Sequence, residues 1–108
     1  MSPDLDDADT VASIARAVPG VAGLHPGRFG EVATYLPGRR VPGVRIAPER
    51  IDVHVVVTPD AAVRDTAAEV RRRVAAALPG PAVDVTVEDV ATGPRRNPPN
   101  DNALRSSQ

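Results

Sequence analysis

Residues 50–90 constrain the fold of this 108-residue chain more than any other stretch. Ile51, Val53, Val55 and Val57 alternate with Asp52, His54, Val56 and Thr58, the period of two of a strand with one buried face. From Asp60 to Leu78 the period becomes helical: Val63, Ala67, Val70, Val74 and Leu78 share one face, while Arg64, Asp65, Glu69, Arg71, Arg72 and Arg73 point mainly elsewhere. Pro79-Gly80-Pro81 ends that helix, and Val83, Val85 and Val87 then alternate with Asp84, Thr86 and Glu88. A strand, an amphipathic helix and a second strand on short links make a βαβ unit. Its two strands are expected to pair in parallel with a right-handed crossover.

The preceding residues add to this unit. Asp7 to Val18 reads as a first helix, with Val11, Ile14, Ala15 and Val18 as its apolar stripe and Asp6, Asp7 and Asp9 suited to its start. Pro19-Gly20 stops it, and Val21 to His25 is a short strand. The Pro- and Gly-rich stretch from Pro26 to Pro42 holds one strand, Glu31 to Leu36; Val44 to Ala47 then turns through Pro48-Glu49-Arg50 into Ile51 to Thr58 as an antiparallel hairpin. The second helix is expected to start at Thr58-Pro59-Asp60. The order α-β-β-β-β-α-β predicts an α/β (α+β) two-layer sandwich, a mixed sheet of about four strands with both helices on one face. Val53, Val55, Val85 and Val87 would lie beneath the helices, and Asp52, His54, Val56, Asp84, Thr86 and Glu88 on the open face.

The length fits a single domain over residues 7–91, with a flexible N-terminus at 1–6 and a disordered Pro- and Asn-rich tail at 92–108. One Phe, one Tyr and no Trp leave Val, Ala, Leu and Ile to fill the core. Such side chains bury little area each, so association with itself or a partner is an expected source of further burial. The net charge of −1 gives no overall electrostatic case for nucleic acid. All 13 basic residues are Arg, which fits the codon bias of a GC-rich bacterial genome. The absence of Cys excludes disulfides, thiol catalysis and Cys-based zinc sites. No apolar run approaches the ~20 residues that span a bilayer. The acidic N-terminus has no apolar signal region, so a cytoplasmic protein is expected.

No recognisable catalytic constellation emerges. His54 has Asp52 two residues away on the same strand face, and Asp84 and Glu88 are the candidates to lie across from it. A solvated polar face accounts for these groups more simply than a metal or acid–base site, which needs more converging donors. His25, before Pro26, reads as a turn residue. No nucleophile elbow surrounds Ser13, Ser2, Ser106 or Ser107. Gly27-Arg28-Phe29-Gly30 lacks the Lys and the following helix of a phosphate loop. Arg71-Arg72-Arg73 points in three directions about 100° apart, and Glu69 can pair with Arg72 or Arg73, as Asp60 can with Arg64, so a solvated helix face is expected. The segment holding Arg28, Phe29, Tyr35, Arg39 and Arg40 joins aromatic rings to guanidinium groups, the usual anchors of protein interfaces. Phe29 and Tyr35 fit equally well as plugs of the core.

The strings AVPGVAGLH, GRFGEVATYLPGRRVPGVRI, RIDVHVVV, AAEVRRRVAAAL and VDVTVEDV, in that order over about Asp7 to Val90, resemble the alkaline shock protein family. This is the Gls-type envelope stress response group, in the form found in GC-rich Gram-positive bacteria. The Pro19-Gly20-Val21 and Pro42-Gly43-Val44 steps and the strands Ile51 to Val57 and Val83 to Val90 carry the likeness. The family often has a Tyr-Gly pair before the second helix; Thr58-Pro59-Asp60 stands there instead, implying a different turn. The resemblance implies a non-enzymatic, cytosolic protein without a cofactor, metal or small-molecule substrate. It implies a role in cell-envelope homeostasis, with self-assembly and recruitment to the inner membrane face by a membrane-anchored relative. The expected function is therefore a scaffold or adaptor, with Arg28, Phe29, Tyr35, Arg39, Arg40, Asp52 and His54 as its contact residues. The alternatives are a small nucleic-acid-binding module using Arg28, Arg39 and Arg40, and an enzyme or ligand sensor using His54 with Asp52.

Overall fold

The strand that alternates most cleanly in the sequence is the centre of the sheet. The computed structural model describes residues 6–91. Its elements are α1 (Asp7–Ala17), β1 (Val21–Leu24), β2 (Ala33–Leu36), β3 (Arg39–Pro42), β4 (Val44–Ala47), β5 (Arg50–Val57), α2 (Val63–Ala77) and β6 (Ala82–Val90). β4 runs antiparallel to the first half of β5, from Ala47↔Arg50 to Val44↔Val53. β1 runs antiparallel to its second half, with Leu24↔Val55 and Val21↔Val57. β6 lies parallel to β5. The four strands form one mixed sheet, and the domain is the expected α+β sandwich.

β1 and β4 meet end to end along one edge of β5. At the junction the His54 N–H donates to the Gly43 carbonyl at 2.8 Å, and the His54 carbonyl accepts the His25 N–H at 2.9 Å. Gly43 has φ +85°, and a Cβ there would lie 2.7 Å from Leu24 Cβ and 3.1 Å from the His25 nitrogen. Only glycine meets both demands.

The core lies between one sheet face and the helices. Ile51, Val53, Val55 and Val57 are fully buried, with Val70 and Val74 from α2 and Ala8, Val11, Ala12 and Ala15 from α1 packed above them. Val85 and Val87 pack against this cluster half-buried.

Three sequence expectations change. The stretch expected to hold one strand holds a hairpin: Pro37-Gly38 reverses the chain, and β3 pairs with β2 from Leu36↔Arg39 to Ala33↔Pro42 as a separate sheet. Helix α2 begins at Val63 rather than Asp60. The Thr58 hydroxyl donates to the Asp60 carboxylate at 2.8 Å, and the Ala61 N–H closes on the Thr58 carbonyl. This local turn competes with the helix. Asp60 therefore forms no helical pair with Arg64, Val63 is exposed, and Thr66 takes the inward position. Asp6 stands at the N-cap of α1 without a side-chain capping bond, so the start of α1 is favoured by the acidic first turn of Asp7 and Asp9. The expectations of a flexible N-terminus and a disordered tail fall on residues 1–5 and 92–108, outside the described residues.

The two sheet edges differ. The outer edge of β4 is covered by the hairpin: the Thr34 hydroxyl donates to the Val44 carbonyl at 2.6 Å, and the Gly43 N–H donates to the Val32 carbonyl at 2.8 Å. Among the described residues, no strand lies on the outer edge of β6.

Candidate functional site

The sheet face turned away from the helices carries the polar half of the alternation. β5 and β6 pair as Asp52↔Asp84 and His54↔Thr86, and then the register shifts so that Val56 faces Asp89. Glu88 is the extra residue of this bulge. Its Oε2 meets His54 Nδ1, and both side chains are mostly sheltered, at 18% and 23% exposure. Of the carboxylates that the sequence left open as partners of His54, Glu88 fills that place. Asp52 pairs with Arg45 at 3.4 Å and Asp84 with Arg50 at 3.1 Å. The Asp52–His54 pairing that an enzyme or sensor would use is therefore not assembled. Among the described residues, no group of three or more His, Asp or Glu side chains is arranged to hold a metal.

The turn from Pro26 to Val32 lies beside this face. The Val32 N–H closes on the Pro26 carbonyl at 2.8 Å, and the Gly30 N–H on the Gly27 carbonyl at 3.2 Å. His25 serves the turn, as expected, by accepting the Gly27 N–H on Nδ1 at 3.0 Å; the proton of the neutral ring then sits on Nε2. Glu31 folds back so that its Oε1 accepts the Phe29 N–H at 2.9 Å. Bonds from its own amide and that of Phe29 hold the Glu31 carboxyl below the usual glutamate range, with smaller contributions from the charges of His54 and Arg45. Neither Glu31 nor Arg45 stood out in the sequence. An acidic residue directly after a glycine-bounded turn is the available signal for Glu31, because such a side chain reaches back to free turn amides.

This bonded turn holds Phe29 outward, 87% exposed, with Arg28 exposed beside it. Tyr35 stands 65% exposed on β2, directly opposite exposed Arg40 on β3. Thr34, Leu36 and Val41 take the inner face of the same hairpin. Neither aromatic plugs the core. Arg39 belongs to a different group: its guanidinium makes two bonds to Asp9 on α1, at 2.7 and 2.8 Å. The seven expected contact residues thus divide into a turn tip (Arg28, Phe29), an outer hairpin face (Tyr35, Arg40), a tether to α1 (Arg39) and the polar sheet face (Asp52, His54). Of the three arginines of the nucleic-acid alternative, Arg39 is engaged by Asp9, while Arg28 and Arg40 are exposed on the turn tip and the hairpin. The Arg71–Arg73 run behaves as a solvated helix face. Glu69 bonds both Arg72 and Arg73 at 2.6 Å, and these two guanidinium groups lower its carboxyl to about 2.

No family model and no curated protein matches the sequence. The solved structure named "MamM CTD - Copper form" is similar in fold. It aligns over 87% of this chain and 94% of its own, with 18% identity and a TM-score of 0.53. Among the described residues, no helix is long and apolar enough to cross a membrane.

Proposed function

We propose that this chain is a non-enzymatic scaffold or adaptor domain of the alkaline shock protein type. It associates with itself and with a protein partner in the cell-envelope stress response or envelope homeostasis, on the cytoplasmic side of the membrane. The observation that carries the reading is that both aromatic side chains stand in solvent beside an exposed arginine, Phe29 on a hydrogen-bonded turn and Tyr35 on the paired strand β2. A chain so short of large apolar groups forgoes roughly 1.5–3 kcal/mol by leaving a Phe side chain unburied. Aromatic and Arg side chains are the commonest anchors of protein interfaces, and a turn already fixed by its own bonds loses little freedom on binding. The ordered series of motifs that resembles the alkaline shock proteins supports the envelope role and a membrane-anchored relative as the partner.

The test is the double variant Phe29→Ser with Tyr35→Ser. Both sites are exposed, so the circular dichroism spectrum and the melting temperature should stay close to those of the parent. Association with a purified membrane-anchored partner should be lost. Undiminished association by a folded double variant would overturn the reading.

A further inference from the structure

Among the described residues, β6 pairs on one edge with β5 and has no strand on the other. Ala82 gives its N–H to the Glu49 carbonyl on the β5 side. Alternation along the strand then turns the backbone groups of Val83, Val85 and Val87 outward. The open run is bounded by Pro81, which has no N–H, and by Val90, whose N–H is taken by the Asp89 carboxylate at 2.8 Å. Between these limits there is no proline, lysine or arginine to blunt the edge.

We infer that β6 pairs with β6 of a second copy, antiparallel about a two-fold axis at Val85, joining two four-stranded sheets into one. This register alone pairs all three outward residues with one another, and the charges disfavour its two neighbours. With Val85 opposite Val85 of the partner subunit, Asp84 faces the partner's Thr86, Val83 faces the partner's Val87, and Ala82 faces the partner's Glu88. No carboxylate then meets another. A slip that centres the axis on Asp84 sets two aspartates directly opposite, and one that centres it on Thr86 sets Asp84 against the partner's Glu88 twice. Like charges in such positions are destabilising. In the favoured register Asp84 keeps its bond to Arg50, and Glu88 keeps its contact with His54. All three outward N–H groups of each copy find a carbonyl, and the half-buried Val85 and Val87 side chains gain aliphatic neighbours beside the core. The inference rests on the self-association part of the proposed function and not on the Phe29 and Tyr35 contacts.

Sedimentation over a range of concentrations, together with amide hydrogen exchange, tests it on the full chain. The Val85 amide should gain protection as the concentration rises through the dimer transition. Thr86→Asp, which puts a second carboxylate opposite Asp84 at two places, should weaken the dimer by about two- to thirtyfold. Thr86→Arg should not weaken it, because it offers each Asp84 a counter-charge. Val85→Pro removes an outward N–H that β5 does not use, and should leave a folded monomer; circular dichroism verifies the fold, and Thr86→Asp carries the test if this variant fails to fold. A monomer at every concentration, a dimer indifferent to Thr86→Asp, or Val85 protection independent of concentration, as pairing within one chain would give, overturns the inference. A dimer sensitive to Phe29→Ser and not to Thr86→Asp overturns it while leaving the contact surface standing. A Thr86-sensitive dimer that does not bind the membrane-anchored partner has the reverse meaning.

Discussion

Glu31 illustrates how one side chain fixes a turn. Its carboxylate accepts the amide of the residue it displays, Phe29, and its pKa is lowered chiefly by its own amide and that of Phe29. The sign of the pH effect follows from this. A carboxyl with a folded-state pKa below its unfolded value stabilises the turn fully above the unfolded value, and the contribution is lost as the pH falls through the lowered folded value. The Phe29 amide resonance should therefore be constant at neutral pH and shift only at a pH below the usual glutamate range. In Glu31→Gln that inflection should vanish. In Glu31→Ala the Phe29 amide should exchange with solvent faster while the melting temperature changes little, because the group is exposed. An inflection at the position of a free glutamate would mean that the carboxylate does not hold the turn.

Among the elements, the β2–β3 hairpin is joined to the edge of β4 by the Thr34 hydroxyl and by the Gly43–Val32 backbone bond. The Thr34 hydroxyl, only 3% exposed, satisfies the Val44 carbonyl at the edge of β4 where a neighbouring strand would otherwise do so. Thr34→Val keeps the shape and leaves that carbonyl buried without a donor, a loss of about 1–3 kcal/mol. Urea denaturation should show this as a lower midpoint at unchanged slope, with Tyr35 fluorescence reporting the same transition. The hairpin also marks where sequence reading stops. β5 and α2 were legible because a core on one side imposes a period on every residue of the segment. Arg39-Arg40-Val41-Pro42 has one inward residue and no period, so only the reversal at Pro37-Gly38 betrays β3. The start of α2 was misplaced because the Thr58 hydroxyl favours a local turn through Asp60. Glu88 was one open possibility for His54. What selects it is a register shift between two strands separated by a helix, and such a shift leaves no mark in either strand alone.

At the scale of the whole molecule, the groups that build the core and the aromatic groups proposed to make contacts fall on different residue classes. In most small domains the aromatic side chains are the largest contributors to the core. Here the largest fully buried side chain is Ile51, on the central strand beneath both helices, while Phe29 lies outside. A domain of this size has a total stability of roughly 5–15 kcal/mol, and Ile51→Ala should remove about 2–5 kcal/mol of it. The melting temperature should drop by roughly 10 °C or more. Ile51→Val should cost only about 0.5–1.5 kcal/mol, because it deletes a single methylene from the same place. Phe29→Ala, a far larger truncation, should stay within about 0.5 kcal/mol of the parent. Calorimetric melts of the three variants at one fixed protein concentration, which keeps any self-association equal among them, give the order directly. A Phe29→Ala cost comparable to that of Ile51→Ala would place the ring among the groups that hold the domain together and remove the reason to assign it to a partner. A large isoleucine effect beside a negligible phenylalanine effect is what a small valine-built core requires when its one Phe ring lies in solvent.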